Sequence, residues 1–528
     1  MEGAGLLIVE TLVLLLLFAV ALGWVARRAQ VPYPIVLLIG GAALGFVPKL
    51  PQLPLDPQLL LVIVLPPVLY QAALFTSWRD FRAELRPISL LAFGLVAATT
   101  VAVAATLKWL VPDTPWAAAF VFGAIVSPPD AVAATAILSA LNMPRRIVTI
   151  LEGESLVNDA AGLVIYKFAV AVALTGMFSP VLALGQFVMV AAGGVGLGLL
   201  TGRVFVAIHM RLQDAMIEVL MSVVLPFFTY LLAETLQVSG VLAVVAAGLV
   251  RGRHAPEAFS PQARILAESL WSIIVFLLNS LVFILIGVQL RSILEALSGY
   301  SALQLGAYVA AVSAVAIVVR MLWVIPGAYL PRALSRRIRH RERRPPWRNV
   351  FVVGWCGMRG IVSLAAALAL PYFIESGAAF PHRPLIIFLS FALIAVTLVL
   401  QGLTLAPLIR MLGIGTDWTA LEEEREARLA LARAALTEID RLEESCGVPP
   451  EYIAHLQTEF RNRAEQASAH GLVMTTDHLA PLARLRLAAI GAERRELLRL
   501  WHADRIGDEV LHQLQRELDF DEARLPHP

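Results

Sequence analysis

The sequence predicts an all-α polytopic membrane protein with about 13 transmembrane helices and a helical soluble tail. Three observations predict it. Of 528 residues, 58% are hydrophobic and 16% charged, whereas soluble domains carry roughly 25% charged residues. The mean hydropathy is +0.75. The apolar residues fall in long runs separated by arginine-bearing loops, and charge is concentrated near the C-terminus. Composition alone excludes a soluble multidomain enzyme, a disordered chain and a coiled coil.

Residues 1–414 hold 18 Asp/Glu and 28 Lys/Arg, a net +10, while residues 415–528 hold 22 and 14, a net −8. The overall +2 hides two opposite parts and gives no sign of a nucleic-acid partner. A transmembrane domain over 1–414 followed by a cytosolic helical domain over 415–528 is the simplest division. Cys356 lies in an apolar segment and Cys446 in the tail, so neither a disulfide framework nor a paired-cysteine metal site is expected.

At about 20 apolar residues per crossing, the spans fall at 5–26, 33–48, 58–76, 87–111, 116–141, 147–175, 181–208, 215–236, 239–250, 266–290, 303–330, 349–372 and 385–410. The first follows Glu2 rather than a basic stretch and ends in Arg27-Arg28. It is too long for a signal-peptide core and reads as a retained span. The ninth is short. Odd-numbered loops carry Arg27 and Arg28; Arg79, Arg82 and Arg86; Arg145 and Arg146; Arg211; Arg251, Arg253 and Arg264; and eight arginines from Arg332 to Arg348. Even-numbered loops carry little beyond Lys49, Arg291 and Arg383. Basic loops stay on the cytoplasmic side. The expected topology is therefore a multi-pass protein of the cell (inner) membrane, N-terminus outside and tail inside. In the tail, Leu421–Leu442 has Glu/Arg pairs at helical spacing, such as Glu424 with Arg428, and Ala480–Leu500 is rich in Leu, Ala and Arg. A regulatory or assembly domain is the plain reading.

Ionisable residues inside a span cost about 2.5–3.5 kcal/mol on insertion scales and need a partner or a wet cavity. The candidates are Glu10, Asp130, Glu152, Glu154, Asp159, Lys167, Glu218, Glu234, Arg320 and Arg359. Several lie near span ends, and Glu152 need only face a neighbouring helix. Two segments stand apart. In Gly123–Ala133, Pro128 and Pro129 each remove an N–H and break span 5. The freed carbonyls must meet protein, water or an ion, and Asp130 follows at once. In Leu151–Ala160, Ser155 and Asp159 are four apart and share a helix face, while Glu154 and Asn158 share an adjoining one. Asp159 lies twelve residues from Ile147, about 18 Å deep at 1.5 Å per residue. An unpaired carboxylate there is either protonated or holds a cation, which is the chemistry of proton–cation exchange.

Span 12 mirrors span 5. Gly354-Trp-Cys-Gly-Met-Arg-Gly360 weakens its middle, where Arg359 sits. Spans 5 and 12 correspond if spans 1–6 and 8–13 are two inverted six-helix repeats joined by span 7. Interrupted segments at matching points of two repeats point to a transporter binding site. A buried Arg359 needs an acid, and Glu154 is the expected partner.

These motifs resemble the sodium/proton exchanger superfamily of monovalent cation:proton antiporters, on its bacterial NhaP-like branch. The pieces are Ser127-Pro-Pro-Asp-Ala-Val-Ala133, Leu151-Glu-Gly-Glu-Ser-Leu-Val-Asn-Asp-Ala160, Ser239–Gly248, Phe283-Ile-Leu-Ile-Gly287 and Gly357-Met-Arg-Gly-Ile-Val-Ser363. The resemblance implies that Asp159 is the main cation and proton carboxylate. Asp130, Ser155 and the Pro129 carbonyl would complete the Na⁺ site, with Asn158 and Pro128 shaping it. Glu154 and Arg359 would form a structural ion pair. The Asn158-Asp159 pair implies electroneutral exchange, and the family forms homodimers. Gln71, in Leu65–Gln71, departs from relatives that carry an acid there.

The expected mechanism is competition between Na⁺ (or Li⁺) and H⁺ for one carboxylate site, with no cofactor and no enzymatic reaction. K⁺/H⁺ exchange is the alternative, and a passive cation channel the weaker rival. An intramembrane aspartyl protease would need Tyr-Asp and Gly-x-Gly-Asp contexts, and neither surrounds Asp130 or Asp159. A serine intramembrane protease fits no better, because Gly153-Glu-Ser155 lacks a following Gly.

Overall fold

The computed structural model describes residues 2–523 except 30, 48–56, 132–133, 136, 139–140, 142, 177–179, 213, 337–339, 341–343, 376, 415–417, 444–447 and 469–478. Lys49, Val132, Ala133 and Cys446, singled out in the sequence, lie outside the described residues. Among those described, regular structure is helical, with one isolated β-bridge between Phe373 and Ala379.

The membrane part begins with α1 (Glu2–Ala29), α2 (Tyr33–Gly45), α3 (Pro57–Phe75) and a short α4 (Trp78–Ala83). Then come α5 (Leu85–Leu110), α6 (Trp116–Val126) and α7 (Arg145–Thr175). Next are α8 (Pro180–His209), α9 (Ala215–Thr235), α10 (Gly240–Ala258), α11 (Pro261–Ala296) and α12 (Ala302–Leu334). The last are α13 (Trp347–Trp355), α14 (Ile361–Leu368) and α15 (Arg383–Leu412). The tail holds α16 (Trp418–Leu442), α17 (Pro450–Ser468), α18 (Leu479–His502) and α19 (Asp508–Ala523).

Among the described residues, seven helices are long and apolar enough to cross a bilayer: α5, α7, the Val188–His209 part of α8, α9, α11, α12 and α15. Their starts follow local chemistry. Asp214 accepts hydrogen bonds from Met216 and Ile217 to begin α9, and Ser301 with Gln304 forms a full capping box for α12. Pro144 precedes α7, and Gly176 closes it in a left-handed conformation. Helix α5 contains a π-helical turn at Leu90–Leu95. The Leu90 carbonyl accepts a bond from the indole N–H of Trp323, so the irregular turn leaves that carbonyl satisfied.

Two bundles emerge from the packing. In one, α1, α2, α3, α8, α9, α10 and α11 pack together; in the other, α5, α6, α7, α12, α13, α14 and α15. Helices α2 and α11 approach so closely that a Cβ at Gly287 would lie 2.1 Å from the Gly41 carbonyl carbon. The second glycine of that crossing belongs to the Phe283–Gly287 motif, whose structural use is thus backbone contact. The bundles meet where α11 and α2 face α15, α14 faces α3 and α11, and α7 faces α3 and α10.

The tail helices build two small apolar cores of their own. One gathers Leu431, Leu497, Leu511 and Leu514; the other gathers Ile439, Ile453, Leu456 and Phe460. Glu424 pairs with Arg428 at 2.7 Å, as their spacing predicts. Helices α17 and α19 are tail elements that the sequence reading passed over.

Candidate functional site

Both predicted interruptions are real, and they cross. Helix α6 stops at Val126, and residues 127–131 leave the helical path before a turn restarts at Ala134. Helix α13 stops at Trp355, and α14 starts only after Cys356–Gly360. The predicted single span 349–372 is therefore two half-helices. At the crossing, the Asp130 N–H donates to the Met358 carbonyl at 2.7 Å. Asp130 lies within the break, not merely after it.

A helix end leaves carbonyls unpaired and partly negative. Arg359 answers this for α6: its Nε donates to the Val126 carbonyl at 2.9 Å, and its Nη1 donates to the Gly357 carbonyl. Its backbone N–H donates to Thr397 Oγ1 on α15 at 3.1 Å. Arg320 answers it for α13. Its Nη2 donates to the Val353 carbonyl at 3.0 Å and its Nε to the Gly354 carbonyl at 3.2 Å. At the positive start of α14, Asp130 lies flat on Gly360, where a Cβ would fall 1.6 Å from Asp130 Oδ2. Opposite charges thus stand at opposite helix ends.

The expected pairing of Glu154 with Arg359 is corrected. Glu154 takes a fork of two bonds from Arg320, Nη1 to Oε1 at 2.5 Å and Nη2 to Oε2 at 2.8 Å. Both side chains are 1% exposed. Arg359 spends its guanidinium on carbonyls instead. The sequence marks Arg320, the one charged residue between Ala302 and Arg332, as a group in need of an acid, but does not say which acid.

The neighbouring face of α7 holds the remaining candidates. Asn158 Nδ2 donates to the Pro129 carbonyl at 3.0 Å, so one lone pair of that predicted ligand is engaged and one remains. Ser155 Oγ accepts from the Ala131 N–H at 3.3 Å and braces the break from the other side. Pro128 packs on Gly162, whose Cβ would lie 2.3 Å from Pro128 Cγ. Asp159, 7% exposed, sits near the middle of α7.

Asp159, Asp130 and Ser155 line a cavity of about 1300 Å³ between the bundles. Tyr33, Gln71, Ser272 and Asn279 line it from the other bundle, and it extends to Arg27, Thr76, Glu152 and Arg410. Asn279 Nδ2 donates to the Tyr33 hydroxyl at 2.9 Å. The carboxylates that line the cavity, Glu152 included, are on the α7 bundle, whereas the facing wall brings Gln71 and, near one end, Arg27. Glu152 faces this cavity rather than only a neighbouring helix. Tyr33 and Asn279 were missed, because no sequence spacing relates α2 to α11. Among the described residues no three His, Cys, Asp or Glu side chains converge to hold a metal ion. Two carboxylates with hydroxyl and carbonyl oxygens suit a passing alkali cation, which prefers oxygen ligands as hard cations do.

Crossed half-helices, compensated by buried charges and set beside a cavity with carboxylates, define a multi-pass membrane protein built for ion transport. The family profile described as "Sodium/hydrogen exchanger, transmembrane" matches residues 13–411. The chain is 34% identical over 531 residues to an uncharacterized Na(+)/H(+) exchanger of Mycobacterium tuberculosis, covering 99% of this chain and 97% of that one. It is 32% identical over 505 residues to the sodium, potassium, lithium and rubidium/H(+) antiporter of Bacillus pumilus, covering 92% and 73%. Its fold is similar to that of the sodium proton antiporter MjNhaP1 of Methanocaldococcus jannaschii, with a TM-score of 0.59, 18% identity and 77% and 98% of the two chains covered. The chain belongs to the sodium/hydrogen exchanger family.

The contact of Asp130 with Gly360 gives a sharp expectation. Gly360→Ala must push Asp130 off the start of α14, because its Cβ would meet Asp130 Oδ2 at 1.6 Å. Cation-driven proton movement is expected to fall about tenfold or more, the scale of losing roughly 1.4 kcal/mol of site stabilisation. Gly299→Ala, with open space around it, should behave as wild type. Rates in reconstituted vesicles check both.

Proposed function

We propose that the chain is a secondary active transporter, not an enzyme, that exchanges Na⁺ (or Li⁺) for H⁺ without a cofactor. The observation that carries this is Asp159, a buried carboxylate at mid-helix on the wall of a cavity beside two crossed half-helices. Asp159 would hold either the proton or the cation. Asp130, Ser155 and the free lone pair of the Pro129 carbonyl would supply further oxygens, with Asn158 and Pro128 holding the break in shape. Competition at one carboxylate, with only the loaded unit crossing, gives coupled and electroneutral exchange by alternating access.

The architecture in this reading is 13 crossings over residues 1–414, in two inverted six-helix repeats, with a cytosolic domain over 415–528. The packing supports it: the α7 bundle holds spans 4–6 and 11–13, the matching halves of the two repeats. That bundle would slide against the other in a homodimer surrounded by lipid of the cell (inner) membrane, N-terminus outside and tail cytoplasmic. The role would be pH homeostasis. A second reading, K⁺/H⁺ exchange, is favoured by the Bacillus pumilus relative, whose name includes potassium.

Dissipation of a pH gradient in proteoliposomes, given Na⁺, Li⁺ or K⁺ in turn, tests the proposal. Na⁺ and Li⁺ are expected to dissipate it at rates unchanged by clamping the membrane potential. A K⁺ response alone selects the second reading. Cation current without proton counterflow would identify a channel.

A further inference from the structure

The tail is bonded to both bundles at once, near the end of the cavity marked by Thr76 and Glu152. On the α11 side, Arg264 grips Asp519 with two bonds, Nε to Oδ2 at 3.0 Å and Nη2 to Oδ1 at 2.7 Å. Arg516 reaches Glu268 at 3.2 Å, His502 reaches Glu257 at 2.6 Å, and Gln515 donates to the Pro256 carbonyl at 3.4 Å. On the α7 side, Arg145 pairs with Glu423 of α16 at 2.8 Å and with Glu509 of α19. Between them, Ser77 Oγ donates to Asp508 Oδ2 at 2.5 Å, and Arg79 donates to the carbonyls of Asp504 and Ile506. Ser77 caps α4, which packs on both α7 and α10.

We propose that the tail is a brace that holds the α7 bundle against the other bundle and restrains exchange until it lets go. This rests on the alternating-access reading above. Sliding α7 past α11 changes the separation of Arg145 from Arg264. Helix α19 has 16 residues and is a rigid rod of about 24 Å, so it cannot follow both anchors. Each cycle must break one set of bonds. The two sets are unequal. Asp519 is 1% exposed and is also held by Arg494 at 2.9 Å, whereas Arg145 and Glu509 are 24% and 68% exposed. Exposed pairs are weak, and a buried charge is costly to strip of its partner. The α7 end therefore releases first, and the tail stays with α11.

The test uses the full chain in proteoliposomes. Glu423→Gln with Glu509→Gln should raise the exchange rate about three- to tenfold, the scale of losing one or two partly exposed ion pairs, with the KM for Na⁺ unchanged. Arg499→Gln, on an exposed pair within the tail, should leave the rate alone. If the double variant folds poorly, Arg145→Gln removes the same two pairs from the α7 side and should raise the rate to the same extent. A second readout needs no transport. Ala406 lines the cavity; with Cys356 and Cys446 replaced by Ser, Ala406→Cys is labelled by an impermeant maleimide added on the tail side. Release of the brace should slow that labelling. Folded variants with unchanged rate and labelling overturn the brace, as does loss of exchange. If the wild type moves no cation, the antiporter reading falls, while the labelling result still decides the brace.

Discussion

Asp159→Asn is expected to reduce Na⁺-driven proton movement to the level of empty liposomes while the protein still purifies as the wild type does. The amide has nearly the same shape, so packing around this buried position is kept. It cannot bind and release a proton, and it offers a cation no charge. Asp130 does not replace it, because Asp130 lies against Gly360 at the start of α14 and bonds through its N–H to Met358. Both carboxylates line the cavity, but Asp130 also balances a helix end, whereas Asp159 stands at mid-helix. In the wild type the same competition has a sign: lowering pH should raise the KM for Na⁺. Exchange at the wild-type rate in Asp159→Asn would remove the central assignment.

The second large effect concerns stability. Arg320→Met should lower the yield and melting temperature far more than Arg359→Met does. Removing Arg320 leaves the Glu154 carboxyl 1% exposed and without its two bonds. Losing one partner of such a pair costs about 3–5 kcal/mol, a large share of the roughly 5–15 kcal/mol that holds a typical fold together. Arg359→Met strips bonds from the carbonyls of Val126 and Gly357, a loss of about 1–3 kcal/mol. Glu154→Leu combined with Arg320→Met should recover much of the stability, since no lone charge remains. The carbonyls of Val353 and Gly354 still lose their donors, so recovery stays incomplete. Size-exclusion profiles after heating check all three variants. A stable Arg320→Met protein would show that the Glu154 pair is dispensable.

Local features of the site were legible in the sequence. Pro128-Pro129 and the glycines around Cys356 announce two interruptions, and the spacing of Ser155 and Asp159 places both on one face. These are statements about one turn of helix, where periodicity and backbone chemistry decide. The partner of Glu154 was not legible, because it depends on how α12 crosses α7, 166 residues away. Nothing within one turn distinguishes Arg320 from Arg359 as that partner. The Tyr33–Asn279 pair on the cavity wall has the same origin: the two meet where Gly41 and Gly287 let α2 and α11 touch. In the tail, the Glu/Arg spacing of α16 was readable, but the buried grip of Asp519 on Arg264 is tertiary.

The arrangement of charge at the crossed breaks has an electrical consequence. Asp130 and Arg359 are one negative and one positive group, and Glu154 with Arg320 is another such couple. In the proposed exchange, with these four ionised, the heart of the α7 bundle would have no net charge once Asp159 is occupied by a proton or a monovalent cation. It carries a single negative charge when Asp159 is bare. A resting voltage does work of about 2.3 kcal/mol per elementary charge per 100 mV. On either loaded form that work would vanish, so the membrane potential would neither drive nor oppose its passage. The bare form feels the full voltage and also the cost of moving an unbalanced charge through a low dielectric. Two fixed couples, placed to quiet helix ends, would in that exchange leave voltage acting only on the form that would leak.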